Sequence, residues 1–62
     1  MDNYTVELII CEFQGDWWVF NDNFQAKNEK EAEEEAKKQF LLRYDSVMFA
    51  FIGLYSINLS ES

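Results

Sequence analysis

Apolar and polar residues alternate with a period of two from Tyr4 to Phe13. Tyr4, Val6, Leu8 and Ile10 fall on one side, and Thr5, Glu7, Ile9, Cys11 and Phe13 on the other, which is the signature of a strand. Gln14-Gly15-Asp16 follows as turn chemistry between two β-rich runs, so a hairpin is expected. The returning strand runs from Trp17 to about Ala26, with Trp18, Phe20, Phe24 and Ala26 on one face and Asp22 interrupting it. Asn21-Asp22-Asn23 is turn-prone and is expected to bulge or break that strand.

The period then lengthens to that of a helix. Ala32, Ala36, Phe40 and Tyr44 form a narrow apolar stripe whose small alanines suit close packing on a sheet. Asn28 is the expected cap, with Glu31 three residues on in a capping-box-like arrangement. Glu29 and Glu31 fall in the first turn and Lys37, Lys38 and Arg43 towards the end, as the helix dipole prefers. Glu33 with Lys37 and Glu34 with Lys38 are i,i+4 pairs, each stabilising by about 0.2–0.5 kcal/mol. Leu41 and Leu42 leave the stripe, so either the helix ends near them or they meet a second surface.

Asp45-Ser46 makes the next turn, and Val47 to Leu59 reads as a long third strand. Strict alternation places Val47, Phe49, Phe51, Tyr55, Ile57 and Leu59 on one face, and Met48, Ala50, Ile52 and Leu54 on the other. Gly53 is expected to bulge or to divide the run into two strands. Ser60-Glu61-Ser62 is expected to fray. The order is β-β-α-β, an α+β domain covering residues 1–62: a three- or four-stranded antiparallel sheet with one helix on one face.

Composition narrows the chemistry. The 62 residues hold twelve acidic and five basic side chains, no histidine, no proline, one cysteine, two tryptophans, three tyrosines and six phenylalanines. A chain of this length buries only about 60% of its unfolded surface, so aromatic packing or self-association is expected to supplement the core. Cys11 has no disulfide partner, and no Cys/His cluster offers a zinc site. Within Leu8-Ile9-Ile10-Cys11 the thiol reads as a small hydrophobe. The opening Met-Asp-Asn-Tyr lacks a basic region followed by an apolar stretch, which with the single thiol points to cytoplasm, host cytoplasm if the chain is viral. The longest apolar stretch, Val47 to Tyr55, is too short to span a bilayer.

No catalytic residue, metal or cofactor is assigned. Without histidine the usual base near neutral pH is missing. Glu29, Glu31, Glu33, Glu34 and Glu35 diverge by about 100° per residue on a helix, and Gly15 and Gly53 are isolated rather than part of a phosphate loop. A net charge of −7 repels phosphate backbones and anionic lipid, so neither nucleic acid nor membrane is an expected partner. The first 26 residues contain no lysine or arginine to track phosphates beside the rings.

Two protein-binding surfaces remain. Glu31, Glu34 and Glu35 project from the exposed side of the helix, and Asp16 and Asp22 at strand ends are expected to extend the same negative field. The uncovered sheet face carries Ile9, Cys11, Phe13, Trp17 and Val19 beside Glu7, Glu12 and Asp16, with Phe13 and Trp17 as its anchors. The first surface suits a host protein with a basic groove, carboxylates standing in for phosphates as in a DNA mimic. The second suits a homodimer or larger structural assembly whose charge serves solubility alone.

The run Phe24-Gln25-Ala26-Lys27-Asn28-Glu29-Lys30-Glu31-Ala32 leaves a strand and opens a capped helix with Glu-Ala spacing. Over Trp17 to Tyr44 this resembles small phage-encoded β-β-α-β host-takeover proteins, and is similar in pattern to the short-tailed coliphage inhibitor of bacterial RNA polymerase. The resemblance implies a small inhibitor directed at a host protein. The last strand lacks lysine and arginine, so no binding residue carries over from that inhibitor.

Overall fold

The computed structural model describes residues 1–44 and 48–60. β1 (Asp2–Glu12), β2 (Trp17–Ala26), α1 (Glu29–Arg43) and β3 (Phe49–Ser60) follow one another along the chain. The sheet has three strands in the order β2-β1-β3, with β1 antiparallel to both neighbours. The helix packs on one face, giving the expected α+β arrangement. The expected Asp45-Ser46 turn, the start of the third run at Val47, and Glu61-Ser62 lie outside the described residues.

The hairpin turns at Gly15, whose φ of 103° lies in the region glycine enters without steric cost. Its N–H donates to the Glu12 carbonyl at 2.8 Å, and the Glu12 N–H donates to Asp16 at 2.9 Å. From Cys11↔Trp17 to Asp2↔Ala26 the register never slips, so Asn21-Asp22-Asn23 neither bulges nor breaks β2. Side chains hold this turn-prone run in the strand: Thr5 Oγ1 donates to Asn23 at 2.8 Å, and Asp22 lies 3.4 Å from Arg43 Nη2.

β3 corrects the strict alternation. It is one strand, but it shifts register twice against β1, skipping Tyr55 between Ser56 and Leu54 and Ala50 between Phe51 and Phe49. Each extra residue reverses which side chains face the helix. Phe49, Ile52, Leu54, Ile57 and Leu59 therefore lie on the helix side, while Phe51 faces away, opposite Cys11. Gly53 is not a bulge; it pairs in register with Ile9.

The core joins Tyr4, Val6, Leu8 and Ile10 of β1 to Phe20 and Ala26 of β2 and to Ala32, Ala36 and Phe40 of α1. The two buried helix alanines let the helix backbone approach the sheet, and Phe40 fills the space beyond them. Around Phe40 gather Phe20 at 5.2 Å, Phe49 at 5.1 Å, Tyr44 at 4.8 Å and Trp18 at 5.8 Å between ring centroids. Phe40 stacks on Tyr44 and meets the other three tilted or edge-on, and ring pairs of this kind add to simple burial.

Both helix ends follow the sequence logic with small changes. Asn28 Oδ1 accepts from the Glu31 N–H at 2.9 Å, and Glu31 reaches back to the Lys27 N–H at 3.3 Å, one residue before the cap. Lys37 pairs with Glu33 at 2.8 Å, whereas Lys38 forms no ion pair with Glu34. Leu41 and Leu42 lie within the helix and stay exposed, covered by no second surface among the described residues.

Candidate interaction surfaces

The open face of the sheet divides across its length. Towards the helix start it is polar: Thr5 bonds Asn23, and Ser56 Oγ donates to the Glu7 carboxylate, linking β1 to both neighbours. Towards the hairpin it is apolar, with Ile9 and Cys11 of β1 between Val19 and Trp17 of β2 and Gly53 and Phe51 of β3. Trp17 and Phe51 both oppose Cys11, and their rings lie 6.1 Å apart, flanking the half-buried thiol from both sides. Trp17 is 61% and Phe51 50% exposed, so this ring pair is surface rather than core.

The sequence missed Phe51 because the skipped Tyr55 turns it from the face of Ile57 and Leu59, and the skipped Ala50 from that of Phe49. The available signal was Gly53 two residues later. A Cβ at Gly53 would stand 2.6 Å from the Phe51 ring, so glycine provides the space that ring occupies.

Phe13 does not continue the strand alternation. It is exposed in the hairpin turn, its N–H donating to the Met48 carbonyl at 3.2 Å, and it makes no ring pair with Trp17 or Phe51. Glu12, placed beside the open face by sequence, instead accepts from Trp18 Nε1 at 2.9 Å, at the edge of the helix-side ring cluster.

The acidic residues separate into three places. Glu31, Glu34 and Glu35 do come together, lining a shallow depression with Met1, Gln25, Ala26 and Lys38 near the start of the helix. Glu35 is half-buried and accepts from Gln39 Nε2 at 2.9 Å, while Glu31 and Glu34 are exposed. Asp22 is not at a strand end; it sits in the middle of β2, paired with Arg43. Asp16 is exposed in the hairpin, accepting from Gln14 Nε2 at 3.1 Å.

Asp16 therefore lies at the far end of a molecule 37 Å long. Screening limits an exposed charge to about 10 Å at 0.1 M salt, so Asp16 does not extend the field of the helix carboxylates. Chemically the helix site offers the exposed Glu34 carboxylate and two partly engaged ones, Glu31 on the Lys27 N–H and Glu35 on Gln39, suited to cationic side chains. The hairpin site offers an exposed, mutually tilted pair of rings suited to apolar contact. Among the described residues, no three acidic or sulfur side chains converge with metal-binding geometry, and no helix is long and apolar enough to cross a membrane. Comparison with family models, curated proteins and solved structures finds no match to this chain.

Proposed function

We propose that this chain is a small acidic protein-binding module that engages a basic surface of another protein, of the kind that otherwise holds nucleic acid. The observation that carries this reading is the convergence of Glu31, Glu34 and Glu35 on one depression in which Lys38 is the single basic side chain among the described lining residues. Carboxylates fixed on a rigid helix meet lysine and arginine side chains much as phosphates do, and long-range attraction speeds the encounter. The resemblance to phage-encoded host-takeover proteins supports the same picture of a cytoplasmic inhibitor without catalytic chemistry. The test is to capture the partner from a bacterial lysate, then measure its association with wild type and with Glu31→Gln/Glu34→Gln/Glu35→Gln. The proposal requires that the variant associate more slowly and that capture weaken as salt rises.

A second reading rests on the exposed Trp17–Phe51 pair. Two open faces apposed through these rings make a structural homo-oligomer in which charge serves only solubility. Its association resists salt and survives the triple glutamine change, but fails in Trp17→Ser.

A further inference from the structure

β3 is an edge strand twelve residues long, and it carries no charged residue and no proline. Such an edge is a template for another strand, and proteins usually blunt it with charge or proline. The other edge, β2, does so with Asp22 between Asn21 and Asn23. We propose that the free edge of β3 pairs antiparallel with β3 of a second copy, about a two-fold axis between Tyr55 and Ser56. This inference is independent of the acidic-site reading and of contact between open faces.

The bulge is what makes the strand complementary to itself. Rotation about that axis places Ile52 opposite Leu59 of the second copy and Leu54 opposite Ile57; on the other face it places Phe51 opposite Ser60 and Gly53 opposite Asn58. The two faces match, because Ile52, Leu54, Ile57 and Leu59 oppose Ile10, Leu8, Val6 and Tyr4 of β1 on the helix side. Phe51, Gly53, Asn58 and Ser60 oppose Cys11, Ile9, Thr5 and Asn3 on the open side. Hydrogen-bonding direction matches too. Residues along an antiparallel pair alternately turn their N–H and C=O towards and away from the partner. Both members of each new pair oppose β1 residues of the same alternation, so both present their groups to the free edge together. The extra residue Tyr55 stands opposite Ser56 of the second copy beside the axis, and the ladder ends where the second skipped residue, Ala50, begins.

Charge and area favour a second copy as the occupant. Two chains of net charge −7 repel, and the uncharged length of β3 is where they approach with least opposition. An edge running the 37 Å length of a body 16–17 Å thick presents on the order of 600 Å², comparable to the ~800 Å² per partner of a standard interface. The pairing also covers Leu54 and Leu59, 39% and 58% exposed on the helix side. The result is a continuous sheet of six strands with both helices on one face.

Sedimentation equilibrium of the intact chain tests this across concentration and salt. The expected result is a dimer that tightens as salt screens the repulsion, weakens at least tenfold in Leu59→Glu, and is unchanged in Trp17→Ser. Methyl NOEs between Ile52 and Leu59 in a sample mixing labelled and unlabelled wild type check the register without any substitution. A monomer at millimolar concentration, a dimer lost in Trp17→Ser but kept in Leu59→Glu, or the absence of the Ile52–Leu59 intermolecular NOE overturns the proposal.

Discussion

The indole N–H of Trp18 donates to a carboxylate oxygen of Glu12 at 2.9 Å, beside the ring cluster that joins the helix to the sheet. Trp18 lies 5.6 Å from Tyr44 and 6.2 Å from Phe49, so this one bond orients a ring touching both the end of α1 and the start of β3. A hydrogen bond to a charged group contributes more than a neutral one, and its partner is costly to leave unpaired.

Glu12→Gln is therefore expected to destabilise by about 1 kcal/mol, and Trp18→Phe by about 1–2 kcal/mol. In urea melts the double variant should lose less than the sum of the two, with a coupling of at least about 0.5 kcal/mol. Strict additivity means that the bond contributes nothing to the fold.

Phe40 and Glu35 lie five residues apart on the helix with opposite expectations. Phe40 is fully buried among four rings, so Phe40→Ala should cost about 3–5 kcal/mol, a large share of the ~5–15 kcal/mol that small domains possess. Phe40→Leu, closer in volume, should cost about 1–1.5 kcal/mol and keep the transition measurable. Glu35→Ala loses a half-buried bond to Gln39 within one helix and should change stability by about 0.5 kcal/mol. Equal losses for Phe40→Leu and Glu35→Ala in denaturant melts would contradict the packing described.

Gly53→Ala should leave the fold intact but displace the Phe51 ring, which stands where the new methyl must go. That ring is half exposed and free to rotate outwards, so the cost should be about 1 kcal/mol or less. Trp17 reports the movement: its indole proton shifts and its fluorescence should change as Phe51 leaves its 6.1 Å neighbour. Unchanged Trp17 signals would show that Phe51 does not cover Gly53.

Much of this was legible before the structure. Period-two alternation in β1, the stripe of Ala32, Ala36 and Phe40, and the Asn28 cap are local patterns that depend on nearby residues, and each forms as read, whereas Tyr44, the expected fourth member of the stripe, is the extended C-cap and stays exposed. β3 was misread where pattern alone is weakest. Phe49 to Leu54 is apolar on both sides, so alternation carries no information about which side is buried, and two skipped residues are invisible in such a run. Asn21-Asp22-Asn23 was misread for the opposite reason, because long-range partners on β1 and α1 outweigh local turn preference. Of the candidate site, the helix carboxylates were placed together by helical spacing. The separation of Asp16 and the engagement of Asp22 depend on tertiary structure that no local spacing encodes.

The central claim, that the helix carboxylates recruit a basic partner, is tested most directly by the association rate constant of the captured partner at two salt concentrations. Wild type is compared with Glu31→Gln/Glu34→Gln/Glu35→Gln. The account predicts that the triple variant associates about tenfold more slowly at low salt while dissociating almost as wild type does, and that the gap narrows as screening increases. A triple variant that keeps its fold and associates as fast as wild type at low salt would contradict it.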